Sequence, residues 1–135
     1  MKLVADTNVL VSALLTPAGP CGQILDLLTD GAIQGCFDAR ILSEYEEVLL
    51  DPRFPFTAKQ VSTTLDVFRV GGTPVAALPL DVSLPHEDDR PFLEAAAAAH
   101  VPLVTGNTKH YPARARAGVT VLTPSQFLEL LRRQS

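Results

Sequence analysis

Two polar residues follow apolar runs that have the length and composition of short strands. Asp6 comes directly after residues 3–5, and Asn107 stands shortly after residues 101–104. Because the carboxyl ends of parallel strands meet at one edge of a sheet, both side chains are expected there. Their hard oxygen ligands suit Mg²⁺ or Mn²⁺ better than zinc. Two other interpretations stay open: Asp6 could cap the helix that follows it, and Asn107 could be present only because its backbone suits a tight turn.

A third candidate, Glu44, belongs to a predicted helix over residues 39–50. It follows Ile41 by three residues and precedes Val48 by four, which places it on or beside the apolar stripe. An acid in such a position is costly unless it is paired or bound to a cation. No Lys or Arg stands four residues after Glu44, so its position favours a metal ion or a distant partner. The alternative is that Glu44 lies at the edge of the protein surface, where solvent reaches it.

An acidic turn, Glu87-Asp88-Asp89, comes directly before a predicted helix. Asp89 stands three residues before Phe92 and four before Leu93, so it is expected to share their buried face at the first turn. Asp88 could cap the helix or act as an outer metal ligand. A solvated acidic turn is the alternative, and it is the interpretation that we prefer for Glu87.

Alternating strand and helix signals predict the elements that position these residues. Strands are predicted at residues 3–5, 32–37, 75–77, 101–104 and 119–122. Helices are predicted at residues 7–14, 20–30, 39–50, 57–70, 90–100 and 124–133. This alternation indicates a three-layer α/β/α fold, in which helices cover both faces of a mostly parallel five-stranded sheet. Residues 1–135 are expected to form one domain.

Three of the predicted helices carry start signals. Thr57 with Gln60 forms one capping box, and Thr123 with Gln126 forms a second. Asp38 is expected to cap the helix that contains Glu44. These signals predict where the helices that begin after Asp38, Thr57 and Thr123 start.

The charge of the chain is small in total and uneven along its length. The formal net charge is −4, but residues 1–89 hold 5 Lys/Arg against 13 Asp/Glu, and residues 90–135 hold 6 against 2. An acidic total argues against nonspecific coating of DNA, which requires a basic face. An acidic cluster that faces a basic one is compatible with a polyanion held through metal ions.

Nothing in the sequence points to a membrane or to an oxidising compartment. No apolar run approaches the ~18 residues that a membrane span needs. Asp6 interrupts the only apolar stretch near the N-terminus, so no signal peptide is expected. Cys21 and Cys36 form no CxxC pattern, and we expect both to be small packed hydrophobic residues. These features predict a cytoplasmic protein without membrane contact.

Four segments in series carry a resemblance to a known family. They are VADTNVL at residues 4–10, LSEYEEVL at 42–49, DDRPFLEA at 88–95 and LVTGNTKHYP at 103–112. Together they resemble the PIN-domain family, and more narrowly its VapC-like branch, the toxin components of type II toxin–antitoxin systems. The resemblance covers essentially the whole chain. It implies an endoribonuclease that depends on Mg²⁺ or Mn²⁺ and hydrolyses RNA phosphodiester bonds.

By this resemblance, Asp6, Glu44 and Asp89 are the catalytic acids that bind the metal ion. Asp88 and Asn107 complete the expected metal ligands. Asn107 stands where many members carry a fourth Asp, so one well-held ion is expected and a second would arrive with the substrate. Thr7 and Asn8 are polar enough to orient Asp6 from outside the ligand set.

The resemblance also predicts the partners of the protein. They are an RNA substrate, a cognate antitoxin that holds the enzyme inactive, and a second copy of the chain in a homodimer. Lys109, His110 and Arg90 are expected to contact RNA phosphates.

Two other functions compete with this one. A phosphotransferase could use Asp6 as a covalent nucleophile with Lys109 beside the phosphoryl group, although position 8 carries Asn where that chemistry requires a second acid. A catalytically weakened RNA- or partner-binding PIN module is the other alternative. Three retained acids argue against a pure binding module, because clustered like charges raise one another's pKa values and gain nothing without a cation.

Overall fold

A computed structural model describes residues 1–134 and shows a five-stranded parallel sheet with helices on both faces. The strands are β1 Lys2–Ala5, β2 Gln34–Phe37, β3 Thr73–Pro74, β4 Leu103–Val104 and β5 Val121–Leu122. The helices are α1 Thr7–Leu15, α2 Pro20–Asp30, α3 Ala39–Leu49, α4 Ala58–Arg69, α5 Arg90–Ala99 and α6 Pro124–Arg133. Short 3₁₀ helices lie at Glu87–Asp89, Thr108–His110 and Ala113–Ala115. The predicted three-layer α/β/α fold is confirmed.

The order of the strands determines where a ligand can bind. The order across the sheet is β3-β2-β1-β4-β5, and every pair is parallel. The chain therefore winds outward from β1 in one direction through β2 and β3, and then crosses to the other side for β4 and β5. In open parallel sheets, ligands bind outside the carboxyl ends of the strands at such a reversal. Here the reversal lies between β1 and β4.

The apolar residues of the strands form the centre of the core. Residues 3–5 of β1 and both residues of β4 are fully buried, as is Cys36 in β2. Cys21 packs against the edge of this core, and both cysteines are free thiols. Within residues 1–134, no single helix is long and apolar enough to cross a membrane. Together α1 and α2 have the necessary length and composition, but the two helices are bent by 101° relative to each other.

The predicted helix starts are confirmed by their hydrogen bonds. Both capping boxes form, because the side chains of Thr57 and Thr123 accept from the backbone of Gln60 and Gln126, whose side chains accept in return. Asp38 Oδ1 accepts from the backbone amide of Ile41 at 3.0 Å, which caps α3. The first turn of α3 is thereby held at the end of β2.

The third strand differs from its predicted position. It was expected at residues 75–77, but β3 is Thr73–Pro74, paired with Cys36 and Phe37. Val75 still donates to Phe37 O at 2.8 Å, but β2 ends there because the next residue caps α3. With no neighbouring backbone left to pair, the chain leaves the sheet. The predicted strands at 32–37, 101–104 and 119–122 are each confirmed in a shorter form.

We expect Gly22→Ala to destabilise the protein by about 2 kcal/mol or more, because overpacking forces the backbone to shift. A Cβ at Gly22 would lie 1.9 Å from Pro17 O, where α2 passes close to the preceding turn. Helix propensity alone would predict the opposite sign. Urea unfolding measures the change, and Gly19→Ala is the control, since a Cβ there meets nothing nearer than 3.4 Å. Equal stability of the two variants would contradict the prediction.

Candidate active site

Asp6 lies at the carboxyl end of β1, at the reversal between β1 and β4. It is 4% exposed. Its Oδ2 accepts hydrogen bonds from Thr105 Oγ1 at 2.9 Å and from the Tyr111 hydroxyl at 3.0 Å. Although Asp6 occupies the N-cap position of α1, its side chain makes no capping hydrogen bond. The geometry therefore does not support the interpretation of Asp6 as a simple helix cap.

Thr105 joins the first strand to the loop after β4. Besides donating to Asp6, its Oγ1 accepts from Asn8 Nδ2 at 3.3 Å and from the backbone amide of Asn107 at 3.0 Å. Asn8 Oδ1 in turn accepts from the backbone amide of Gly106 at 2.8 Å. Asn8, which was expected to orient Asp6, thus reaches Asp6 only through Thr105.

Glu44 reaches the same edge from α3. Its side chain is half-buried, and Oε2 accepts a hydrogen bond from Thr7 Oγ1. The hydroxyl of Thr7 therefore holds Glu44, and the backbone of Thr7 also hydrogen-bonds to Asp6, the residue that it was expected to orient. No Lys or Arg within residues 1–134 forms an ion pair with Glu44.

Asp89 completes the group from the start of α5. It is 9% exposed and occupies the N-cap position, but it makes no capping hydrogen bond. Its Oδ2 lies 3.0 Å from His110 Nδ1, yet the two groups are not aligned as a hydrogen bond, so this buried oxygen has no hydrogen-bond partner among residues 1–134. Both Asp6 and Asp89 stand at helix N-termini, where the helix dipole favours negative charge.

Burial raises the pKa of all three acids. It is the largest cause at Asp6 and at Glu44, and hydrogen bonds from neighbouring hydroxyl groups oppose it at both. Burial, followed by the negative charge of Asp6, raises the pKa of Asp89 to about 6, and His110 opposes that shift. The negative charges of Asp6 and Asp89 also raise the pKa of Glu44. The three groups therefore form one negatively charged cluster.

Another buried acid, Glu94 in α5, shows how a structural carboxylate is held in this protein. It is 4% exposed. Its Oε1 accepts from Arg40 Nη1 at 2.7 Å, and its Oε2 accepts from the backbone amide of Leu80 at 2.9 Å. Arg40 also pairs with Asp38. Glu94 is neutralised by a guanidinium, whereas within residues 1–134 the hydrogen bonds to Asp6 and Glu44 come from neutral hydroxyl groups and, at Asp6, also from the backbone of Thr7.

The oxygens of the cluster fit a divalent cation. The unpartnered Oδ2 of Asp89 is a buried acceptor, and its lost solvation would be offset by a bound cation. Among residues 1–134, no three His, Cys, Asp or Glu side chains already converge tightly enough to hold a metal ion together. Because Mg²⁺ commonly keeps several waters and binds through about one or two carboxylates, the fit rests on the oxygen chemistry of these side chains.

The two further predicted ligands lie at the surface of the cluster. Asp88 and Asn107 are both exposed. Asp88 lines a cavity of about 460 Å³ with Glu44, and the acids Glu47 and Glu87 lie on its walls. Asp88 is near enough for its charge to raise the pKa of Glu44. Their roles as ligands stay predictions.

Arg90 is engaged within the protein. Its guanidinium donates to Glu87 at 2.6 and 2.9 Å, to Leu80 O at 2.8 Å and to Val82 O at 2.6 Å. These bonds fasten the extended segment before the acidic turn to the start of α5. In this arrangement Arg90 holds these two segments together, and its contact with RNA stays a prediction.

The other two predicted RNA contacts lie in the loop after β4. Lys109 is exposed and forms no ion pair with any residue from 1 to 134. His110 is partly exposed, with Nδ1 beside Asp89 and its ring 4.4 Å from the ring of His86. Lys109 is thus available to a ligand, and His110 already contacts the acid cluster.

Sequence reasoning missed the two hydroxyl groups that hold Asp6. Thr105 could have been found, since it follows β4 as Asp6 follows β1. Tyr111 is fully buried, and its hydroxyl donates to Asp6. No local signal in the sequence indicates that contact.

A family model described as a PIN domain matches residues 2–109, so the chain belongs to the PIN domain family. Its predicted resemblance to that family is confirmed. PIN domains are generally nucleases, and they generally use divalent metal ions. The fold and the acidic cluster at the sheet edge agree with that class.

One curated relative and two solved structures are similar to the chain. Uncharacterized protein MJ1680 of Methanocaldococcus jannaschii is 26% identical over 140 residues, which cover 96% of this chain and 90% of the relative. A chain of VapBC2 from Rickettsia felis, bound to a DNA fragment from their promoter, aligns with a TM-score of 0.63 and 18% identity, covering 91% of this chain and 98% of that one. A chain of FitAcB from Neisseria gonorrhoeae aligns with a TM-score of 0.56 and 18% identity, covering 93% of this chain and 99% of that one.

Proposed function

We propose that this protein is an Mg²⁺- or Mn²⁺-dependent endoribonuclease in which Asp6, Glu44 and Asp89 hold the metal ion. Asp88 and Asn107 are proposed as outer ligands at the exposed side of the cluster. Membership of the PIN domain family supports a nuclease, and the choice of RNA rests on the resemblance of the four motifs.

The observation that carries the proposal is the contrast between paired and unpaired buried acids. Glu94 is neutralised by Arg40, as is usual for a buried carboxylate. Asp6, Glu44 and Asp89 have no Lys or Arg partner within residues 1–134. Clustered carboxylates without a counter-charge are expected where the protein binds a cation.

The residues of the cluster have separate tasks in the proposed reaction. A bound divalent cation would activate a water molecule for attack on the phosphodiester and would neutralise charge that develops on the phosphate. Thr105 and Tyr111 hold Asp6 against the sheet, and Thr7 fixes Glu44. The partial burial of the cluster strengthens its attraction for a cation, because fewer waters screen the charges.

Hydrogen-bond donors on the loop after β4 would receive the RNA backbone. Lys109 is exposed and carries an unpaired charge within the described chain, which suits a phosphate contact. The contact of His110 Nδ1 with Asp89 leaves Nε2 as the ring atom that could donate to a phosphate.

We also propose that the protein is the toxin of a toxin–antitoxin pair. The VapBC2 and FitAcB structures, whose chains share this fold, are toxin–antitoxin complexes. By that analogy, a cognate antitoxin would hold this enzyme inactive. We propose the homodimer on the resemblance of the four motifs, and the cytoplasmic location on the features of the sequence.

Cleavage of a labelled mixed-sequence RNA tests the proposed activity. With millimolar Mg²⁺ or Mn²⁺ we expect cleavage at least about 100-fold above the rate in EDTA, because the ionised cluster needs a cation to act on a phosphate. The same metal ions should raise the melting temperature by mass action. DNA of the same sequence is the control for substrate class.

A folded preparation free of antitoxin could give two contrary results. Neither cleavage nor a melting shift with millimolar metal would contradict the metal-dependent nuclease. Binding of RNA without cleavage would favour a catalytically weakened binding module.

A further inference from the structure

One short segment contacts two of the three acids. The 3₁₀ helix Thr108–His110 leads directly into Tyr111. His110 Nδ1 lies 3.0 Å from Asp89 Oδ2, and the Tyr111 hydroxyl donates to Asp6 Oδ2 at 3.0 Å. Asp6 comes from β1 and Asp89 from the start of α5. Two adjacent side chains therefore link acids that belong to different elements.

The segment is itself held firmly. The backbone amide of Tyr111 donates to Thr108 O at 3.0 Å, and its carbonyl accepts from Arg116 Nε at 2.7 Å. The Tyr111 side chain is fully buried. The ring of His110 packs against the ring of His86, whose carbonyl accepts from the backbone amide of Asp89. A side chain on such a support has little freedom to follow a displaced carboxylate.

We propose that His110 and Tyr111 are a pair of positioning residues that hold Asp89 and Asp6 in the orientation required by a divalent cation. This inference rests on the proposed metal-dependent function. Two carboxylates of like charge tend to turn away from each other in the absence of a cation. Here Asp6 is restrained by a hydrogen bond from Tyr111, and Asp89 by the close contact of its Oδ2 with His110 Nδ1. Such restraint prepares the ligands before the ion arrives.

Tyr111→Phe tests one half of the pair, because it removes the hydroxyl and keeps the ring. Tyr45→Phe is the matched control: Tyr45 is also fully buried, and its hydroxyl donates to a backbone carbonyl, Ala5 O. With Mn²⁺ binding followed by electron paramagnetic resonance, we expect about 10-fold weaker affinity in Tyr111→Phe and wild-type affinity in Tyr45→Phe. In the RNA cleavage assay, Tyr111→Phe should lower kcat and leave KM unchanged.

Equal Mn²⁺ affinities in these two variants would overturn the role of Tyr111. Tyr111→Phe and Tyr45→Phe each lose one buried hydrogen bond, so both are expected to be destabilised to a similar extent. Their melting temperatures in EDTA show whether a loss of Mn²⁺ affinity comes only from such general destabilisation. A loss of affinity in Tyr111→Phe with a melting temperature close to that of Tyr45→Phe supports the inference.

His110→Gln tests the other half, with His100→Asn as the control at the opposite end of α5. His100 adopts a left-handed conformation, which Asn tolerates. We expect about 10-fold weaker Mn²⁺ binding in His110→Gln only, and equal affinities would overturn its role. Wild-type protein that binds no Mn²⁺ at millimolar concentration would contradict the proposed function itself, a result that is visible before any variants are compared.

Discussion

Asp89→Asn is expected to reduce metal-dependent RNA cleavage at least about 100-fold without destabilising the metal-free protein. The substitution removes a proposed metal ligand and one negative charge from the cluster. It removes no helix cap, because the side chain of Asp89 makes no capping hydrogen bond. Less repulsion from Asp6 should leave the metal-free protein as stable as the wild type or slightly more stable.

Two measurements on Asp89→Asn separate a metal ligand from a structural residue. Cleavage is measured in Mn²⁺, and urea unfolding is measured in EDTA. Asp66→Asn is the matched control, since Asp66 is exposed on α4 and its ion pair within residues 1–134 is with Arg69. Clear loss of stability in EDTA would identify Asp89 as a structural residue. Cleavage at the wild-type rate would exclude it from the active site.

The fold and the positions of the acids could be predicted because their signals are local. Asp6 follows the apolar residues of β1 without a gap, so a buried strand places it at the edge of the sheet. Glu44 stands within one turn of Ile41, which is fully buried. Their local patterns predicted where these side chains lie, while their roles in binding a metal ion stay predictions.

The contacts that restrain Asp6 could not be predicted, because they join distant parts of the chain. Thr105 and Tyr111 stand 99 and 105 residues after Asp6. They meet it only because the sheet reverses its winding and places β4 beside β1. Strand and helix patterns predict that a parallel sheet forms, but they leave the order of its strands open.

Glu94 shows that the partner of a buried charge could not be predicted from the local sequence either. Like Glu44, it is a Glu beside buried helical residues with no basic residue four positions later. What makes Glu94 structural is Arg40, 54 residues away in the sequence. The local pattern of the sequence therefore predicts a buried acid in both cases, and only the tertiary structure separates the neutralised one from the unpaired one.

In EDTA, the free energy of unfolding is expected to fall by about 2 kcal/mol between about pH 4 and pH 7 because of Asp89. Its pKa is raised from 3.8 to about 6 by burial and by the charge of Asp6. In this range the folded protein keeps a proton that the unfolded chain has lost, so stability decreases as the pH rises. The raised pKa values of Asp6 and Glu44 act in the same direction.

Urea unfolding across this pH range in Asp89→Asn and Asp66→Asn isolates the contribution of one carboxyl group. In Asp89→Asn the free energy of unfolding should change little with pH, whereas in Asp66→Asn it should fall with rising pH as in the wild type. Saturating Mn²⁺ should reverse the wild-type slope, because the cation binds the ionised carboxylates and so stabilises the folded protein more as the pH rises. A wild-type slope that is the same in Mn²⁺ and in EDTA would mean that the ionised cluster does not bind the cation.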